Sequence, residues 1–250
     1  MERLFYIILI ISLFLLINCS PPDNKRSSTC YINRISYSGF TVQYNANNRQ
    51  PDWVSYTLTA QQVYATENTP KIPHQFGPDP NLNLPQASND DYKGSGWSRG
   101  HMARHQDMKW SVQAAHESDY YTNICPQNGE MNNGIWKRIE NKARDMAKRY
   151  GSVTIVCGPV FTDTTNGTIG ADRIPVPDFF FKAFLVSSNG QYHSIAFLCP
   201  NEATHMGIRT IACTVNRIEA VTGLNLYTFL DDKIEETVED ELIYSLWGVQ

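Results

Sequence analysis

The longest regular pattern in the sequence lies in residues 132–150, which read NNGIWKRIENKARDMAKRY. Apolar residues recur there at spacings of three and four, a period typical of an α-helix that buries one face. Gly151 follows directly, and glycine is the residue type that most often ends a helix. We therefore predict a helix over 132–150, with basic residues such as Lys137, Arg138 and Lys148 on the side away from the core.

A polar stripe borders the apolar face of this predicted helix. Asn132, Trp136, Glu140 and Arg144 follow one another at spacings of four, so each lies only about 40° around the axis from the last. Asn132 and Glu140 would be about 12 Å apart along the axis, too far to bind one ion directly but close enough to share it through water. A solvated helix flank would give the same pattern, so the stripe alone does not establish a site.

Segments on both sides of the helix have the patterns of β-strands. Alternating or continuous apolar residues predict strands at 37–44, 53–59, 153–161, 179–186 and 193–198. Asn189-Gly190 is typical of a tight hairpin turn between the last two. Residues 69–92, rich in Pro, Asn and Asp, are expected to form a long surface loop, and 214–221 a short helix. The absence of regular strand–helix alternation predicts an α+β domain with a mixed, largely antiparallel central sheet and flanking helices.

The N-terminal segment predicts export. Met1, Glu2 and Arg3 precede an apolar run that ends at Asn18-Cys19, which is typical of a signal peptide over residues 1–19. Cys19 resembles the lipidated cysteine of bacterial lipoproteins, with plain cleavage or a retained anchor as the alternatives. We therefore expect a bacterial lipoprotein at the periplasm or cell surface, attached to the membrane by an N-terminal lipid anchor, or else a secreted protein. Residues 20–36 are expected to form a flexible tether and residues 37–250 a single domain.

Charge and cysteine content restrict the partners and cofactors. The formal net charge is −4, but residues 231–241 hold seven acidic residues and one lysine, which leaves 20 basic and 18 acidic residues elsewhere. The body of the chain can therefore still attract phosphates. Five cysteines remain after Cys19, without the spacing of a zinc site, so we expect free thiols or one disulfide, with Cys199 and Cys213 as the nearest pair.

A set of polar motifs surrounds the predicted helix. Ser98-Arg99-Gly100-His101 alone is weak evidence of a site, because a histidine after a glycine is more often a turn or core residue. Downstream, however, the chain has Asp107-Met108, then Thr122-Asn123-Ile124-Cys125-Pro126-Gln127, then Asn132-Asn133-Gly134-Ile135-Trp136 with Arg138 and Glu140. Together these motifs resemble the DNA/RNA non-specific endonuclease family, the ββα-metal or His-Me finger nucleases that include endonuclease G, and the similarity extends from about residue 37 to 230.

This resemblance implies both an activity and the residues that perform it. It implies a ββα-metal finger active site in which His101 is the general base, Asn132 binds Mg²⁺ directly and Glu140 holds the water shell of the ion. Mn²⁺ is expected to substitute for Mg²⁺. Arg99 and Arg144 match positions that contact or neutralise phosphate, Asn123 matches a polar residue of the same site, and Lys137 and Arg138 are expected to bind substrate as well.

The resemblance further implies hydrolysis of DNA and RNA to 5′-phosphate ends, with no obligate protein partner. Ser98 stands where the family usually has an aspartate, and the segment after Ala103 lacks the usual proline. The departure at Ser98 leaves an alternative, a nucleic-acid-binding surface lipoprotein of the same fold with weak or no catalysis. A phosphodiesterase with a zinc centre is disfavoured because no Cys/His ligand spacing is present. His105 is expected to face solvent or phosphate rather than to act as a second catalyst.

Overall fold

The computed structural model describes residues 33–67, 69–162 and 166–249. The strands are β1 (Asn33–Ser36), β2 (Thr41–Asn45), β3 (Gln50–Thr59), β4 (Ser98–His101), β5 (Ile124–Gln127), β6 (Ser152–Val160), β7 (Thr168–Ile169), β8 (Ile174–Pro175), β9 (Phe179–Ser188), β10 (Gln191–Pro200) and β11 (Ala212–Cys213). The α-helices are α1 (Ala60–Glu67), α2 (Asn89–Tyr92), α3 (His105–Met108), α4 (Val112–Ser118), α5 (Gly129–Met131), α6 (Lys137–Tyr150), α7 (Val215–Thr222), α8 (Asp232–Glu239) and α9 (Tyr244–Trp247). Short 3₁₀ helices lie at Tyr121–Asn123 and Ile208–Ile211, and a π-helical turn lies at Asn132–Trp136.

A seven-stranded sheet forms the centre of the fold. Its strand order is β1-β2-β3-β6-β9-β10-β11, and every neighbouring pair is antiparallel. The turn between β9 and β10 is Asn189-Gly190, and both residues have positive φ, as the tightest hairpin turns require. The predicted α+β class with a largely antiparallel central sheet and flanking helices is confirmed.

Helices cover both faces of the sheet. Because side chains alternate along a strand, successive residues of one strand pack in different cores. On one face, Ile155 and Cys157 of β6 belong to the same apolar core as Ile139 and Ala143 of α6. On the other face, Val156 packs in a second core with residues of α7 and α8. The four cysteines among the described residues, Cys125, Cys157, Cys199 and Cys213, are free thiols, which agrees with the first of the two alternatives expected for them.

The predicted helix is present, but it begins earlier and is not regular throughout. Asn128 caps α5 by accepting hydrogen bonds from the backbone N–H groups of Glu130 and Met131. The chain then passes through the π-helical turn into α6 and leaves the helix at Gly151, where φ is +85°. β4 and β5 pair antiparallel just before this helix, so the chain forms the expected ββα unit. The unit places His101, at the end of β4, beside the start of the helix.

One boundary differs from the sequence-based expectation. The tether was expected to extend to residue 36, but Asn33–Ser36 pairs with β2 as β1, because edge pairing needs only a few residues of backbone. The acidic residues 231–241 include α8, whose Val238 packs on the sheet. The predicted signal peptide over 1–19, and the remainder of the tether, lie outside the described residues. Within residues 33–67, 69–162 and 166–249, no helix is both long and apolar enough to cross a bilayer.

Candidate active site

An open pocket lies where the ββα unit meets the loop before α2. It is lined by residues that are polar or charged, namely His74, His101, Arg104, His105, Gln106, Asn132, Asn133, Lys137 and Glu140. Four of the residues selected from the sequence, His101, Asn132, Lys137 and Glu140, are therefore brought together. The other four, Arg99, Asn123, Arg138 and Arg144, do not line this pocket.

His101 is placed by the backbone on either side of it. Gly100 pairs with Cys125 of β5, and a Cβ atom at Gly100 would overlap the side chain of Gln127, so only glycine fits before the histidine. Met102, which follows His101, donates its N–H to the carbonyl of Asn123 at 3.0 Å. The histidine therefore leaves the strand in a fixed direction, with its side chain 14% exposed at the pocket.

A buried carboxylate that the sequence analysis missed holds the His101 ring. Asp119, at the C-terminal end of α4, has its Oδ1 2.9 Å from Nε2 of His101. Burial raises the pKa of Asp119, but hydrogen bonds from His101, His105 and His74 outweigh it and hold that pKa well below its usual range. Asp119 is thus ionised and accepts the N–H of His101 at Nε2, which leaves Nδ1 with a free lone pair. Burial lowers the pKa of His101, despite the opposing effect of Asp119.

Two more imidazole rings lie within hydrogen-bond distance of the same carboxylate oxygen. Nδ1 of His74 lies 2.9 Å from Oδ1 of Asp119, and Nδ1 of His105 lies 3.1 Å from it. The expectation that His105 faces solvent or phosphate is wrong, because its side chain is only 8% exposed and points at Asp119. His74 comes from the proline-rich loop. No local sequence pattern identifies His74 as a residue of the site, because its neighbours in the pocket are distant in sequence.

Glu140 lies at the floor of the pocket between two cations. Nε of Arg104 is 3.2 Å from Oε2 of Glu140, and the buried Nζ of Lys182 is 4.0 Å from Oε1. Burial raises the pKa of Glu140 to about 7, although Lys182 and Arg104 lower it. Lys182, on β9, also donates to the carbonyl of Met102 at 3.0 Å, which ties the residue after His101 to the central sheet.

Asn132 differs from His101 and Glu140 in the hydrogen bonding of its side chain. It lies in the first position of the π-helical turn and is partly exposed. Among the described residues, its carboxamide has no hydrogen-bond partner, so its oxygen is available to a ligand. π-Helical turns occur often at functional sites because they redirect side chains along a helix.

The four selected residues outside the pocket have other partners. Arg99 donates to Tyr121 and Asn89 and lies over the rings of Phe76 and Tyr92. Arg138 donates to the carbonyl of Met206 at 2.9 Å.

Asn123 is fully buried, and its carboxamide bonds to the backbone of Ala103 and Ser118, which joins the segment after His101 to the segment before Asp119. Arg144 pairs with the buried carboxylate of Asp107 at 2.9 Å.

Comparison with known proteins identifies the family to which the chain is similar. The DNA/RNA non-specific endonuclease family matches residues 23–233. Mitochondrial nuclease EXOG of Xenopus laevis is 37% identical over 210 residues, which are 78% of this chain and 58% of that protein. Human mitochondrial nuclease EXOG is 32% identical over 211 residues, 78% of this chain and 57% of that protein. The chain thus spans less than two thirds of the length of these relatives.

A solved structure shows the same fold. The crystal structure of the EndoG/EndoGI complex, which concerns the inhibition of EndoG, contains a chain that matches with a TM-score of 0.75 and 26% identity. The match covers 80% of this chain and 87% of that one.

The comparisons also correct one expectation. The predicted location at the bacterial periplasm or cell surface, or in the secreted fraction, is contradicted by relatives that are named as mitochondrial nucleases in Xenopus laevis, Danio rerio, Homo sapiens and Schizosaccharomyces pombe. An apolar N-terminal segment alone did not distinguish these destinations. The family match covers most of the chain, and the ββα unit carries the motifs that suggested it. This chain therefore belongs to the DNA/RNA non-specific endonuclease family.

Proposed function

We propose that this chain is a metal-dependent endonuclease that hydrolyses phosphodiester bonds of both DNA and RNA, with His101 as the base that activates water. The observation that carries the proposal is the shared pocket, in which His101 of β4, Asn132 of the π-helical turn and Glu140 of α6 lie together. The family match and the nuclease relatives support the same activity.

His101 is prepared to accept a proton. Its Nε2–H is directed at the ionised Asp119, so the proton acceptor is Nδ1. Because burial lowers the pKa of the ring, the imidazole is neutral near neutral pH, as a general base must be. The ring of His101 is held by Asp119 rather than by Ser98, which pairs with Gln127 at the start of β4, so the departure from the usual family motif is compatible with a working base.

The oxygen ligands of the pocket fit Mg²⁺, with Mn²⁺ as a substitute. Mg²⁺ prefers oxygen and keeps several of its waters, so one protein ligand with a carboxylate nearby is sufficient. The free carboxamide oxygen of Asn132 would be the inner ligand of the ion, and Glu140 would accept hydrogen bonds from the waters that the ion retains. When bound, the ion would neutralise charge on the pentavalent phosphate and, through a water, assist departure of the 3′-oxygen.

Substrate is held through its phosphates. Lys137 lines the pocket, Arg138 is exposed on the next position of the same helix, and Arg99 is held in place by Tyr121 and Asn89. Contacts of this kind position the backbone and carry no direct sequence information. We therefore infer that cleavage is weakly sequence-selective.

Matched DNA and RNA oligonucleotides should both be cut in Mg²⁺, and neither in EDTA. Water is the nucleophile, so the ribose 2′-OH is not needed, and the products should carry 5′-phosphates with no 2′,3′-cyclic phosphate. Cleavage should weaken with added salt because counterion release then contributes less to binding. End-group analysis of the products at several salt concentrations provides the measurement. Cleavage of RNA alone, or cyclic phosphate ends, would show that the chemistry is different.

The variant Asn132→Ala should raise the Mg²⁺ concentration that gives half-maximal activity, because the ion loses its inner protein ligand. The variant Asn132→Asp, which keeps an oxygen ligand, should bind the ion at least as well as the Ala variant does. Asn225→Ala removes a carboxamide from an exposed position outside the pocket and serves as the matched control. A wild-type Mg²⁺ titration in Asn132→Ala would place the inner ligand elsewhere.

A further inference from the structure

The histidines around Asp119 form a second group of ligands, with a chemistry different from that of Asn132 and Glu140. One ligand atom each from His74, His101, His105 and Asp119 lies within 4.8 Å of the others. They come from the loop before α2, the end of β4, the start of α3 and the end of α4. His101 and His105 are four residues apart, a spacing found in metal sites, but His74 and Asp119 belong to no short motif with them, so sequence spacing could not show the whole group.

The hydrogen bonds of His105 point to a cation in this group. Its Nε2 lies 3.2 Å from the carbonyl oxygen of Ile72, and its Nδ1 lies 3.1 Å from Oδ1 of Asp119. Both partners are acceptors, and the Ser118 hydroxyl, 3.3 Å from Nδ1, donates its proton to the carbonyl of Ala115 at 2.7 Å, whereas a neutral imidazole has a single N–H. If Nε2 donates to Ile72, the lone pair of Nδ1 faces the lone pairs of a carboxylate. A proton or a metal ion at that position would remove this conflict.

The separations of the ligand atoms bracket those of a tetrahedral metal site. With metal–ligand bonds of about 2.0–2.1 Å, as Zn²⁺ forms with His and Asp, the ligand atoms of a tetrahedron lie roughly 3.4 Å apart. The three ring nitrogens are 2.9, 2.9 and 3.1 Å from Oδ1 of Asp119, and all four ligand atoms lie within 4.8 Å of one another, so a slight lengthening of the N–O separations and a closer approach of the rings would give this spacing. His74 is 49% exposed and is therefore the ligand with the most room to adjust.

Neighbouring groups already orient the ligands. The carbonyl of Ile72 faces the outer nitrogen of His105, and the N–H of Gln75 donates to Oδ2 of Asp119 at 2.6 Å. Such outer contacts fix the tautomer of a ligating histidine and the direction of a ligating carboxylate. Three imidazole nitrogens and one carboxylate oxygen suit Zn²⁺ and similar transition metals, whereas Mg²⁺ selects oxygen.

We propose that His74, His101, His105 and Asp119 bind a divalent transition metal of the Zn²⁺ class, and that this ion inhibits the enzyme by occupying His101. Binding does not depend on the function proposed above. The inhibition does rest on it, because a metal on Nε2 of His101 leaves the single proton of the neutral ring on Nδ1, the atom proposed to accept a proton from water.

Binding is tested directly by calorimetric titration of the metal-free full chain with Zn²⁺, in the presence of excess Mg²⁺. We expect one Zn²⁺ per chain, not displaced by Mg²⁺, with Co²⁺ in its place giving the strong visible absorption of tetrahedral coordination. His105→Gln and His74→Gln should each weaken binding at least 10-fold. His74 is half-exposed, so its substitution does not threaten the fold, and circular dichroism checks both variants. His205→Ala, at an exposed position outside the group, should bind Zn²⁺ like the wild type.

Activity in Mg²⁺ with increasing Zn²⁺ tests the second half of the proposal. Zn²⁺ should inhibit the wild type, a chelator should restore activity, and His74→Gln should need at least 10-fold more Zn²⁺ for the same fractional inhibition. Equal Zn²⁺ affinity in the wild type and both variants, or no binding at all, would overturn the site. If Zn²⁺ binds as expected but no nuclease activity is detected in Mg²⁺, the site stands and the proposed function fails.

Discussion

Replacement of His101 by alanine is expected to lower kcat by roughly 10²- to 10⁴-fold, the usual contribution of a general base. This corresponds to about 3–5 kcal/mol of transition-state stabilisation. Binding of nucleic acid should change little, because the phosphate contacts proposed for Lys137, Arg138 and Arg99 remain. Single-turnover cleavage measures the first effect, and fluorescence anisotropy with labelled DNA in Ca²⁺ or EDTA measures the second.

The matched control for this variant is His205→Ala, which removes an imidazole from an exposed position outside the pocket. It should cleave at the wild-type rate. Cleavage by His101→Ala at the rate of His205→Ala would mean that another group accepts the proton. A loss of binding equal to the loss of rate would instead identify His101 as a substrate contact.

Replacement of Arg144 by alanine should destabilise the protein by about 3–5 kcal/mol, because it leaves a buried carboxylate without its partner. Asp107 is completely buried, and the Arg144 guanidinium, 11% exposed, donates to it at 2.9 Å and to Thr66 at 3.0 Å. This arrangement favours a structural role over the phosphate contact expected from the family resemblance. Urea unfolding followed by circular dichroism gives the free energy of unfolding.

Helix α6 also supplies a control for Arg144→Ala. Lys148, one turn later on α6, pairs with Glu67 of α1, but the two side chains are 34% and 43% exposed. An exposed pair contributes at most about 1 kcal/mol, so Lys148→Ala should have a small effect. If Arg144→Ala were as stable as Lys148→Ala but bound nucleic acid more weakly, the phosphate role would be supported instead.

Features set by local periodicity could be predicted from the sequence. The apolar spacing around Ile139 fixed the face of the long helix, Gly151 its end, and Asn189-Gly190 the hairpin. The π-helical turn at Asn132–Trp136 could not be predicted, because a single widened turn leaves the apolar spacing almost unchanged. Strand β1 was missed because its short edge pairing depends on β2 rather than on its own composition.

The candidate site likewise contains residues that could be predicted from the sequence and residues that could not. His101, Asn132 and Glu140 lie in recognisable motifs, whereas His74 and Asp119 become neighbours only when a loop and a helix end fold against β4. Their proximity depends on tertiary contacts such as the pairing of Gly77 with Tyr120, which no window of adjacent residues contains. The resemblance therefore identified the pocket, and the structure was needed to find what holds the base.

Lys182 is a buried charge that lies beside the pocket residue Glu140. Its ammonium group is fully buried, 4.6 Å from the centre of the Trp136 ring, and Glu140 is the carboxylate nearest to it. An ammonium ion in such surroundings needs a compensating anion, because its loss of hydration is otherwise unbalanced. Glu140 thus serves both as the counter-ion of a buried lysine and as the proposed acceptor for metal-bound water. Replacement of Glu140 during evolution is therefore constrained by both roles. A side chain that took its place as the acceptor for metal-bound water would also need a negative charge to balance Lys182.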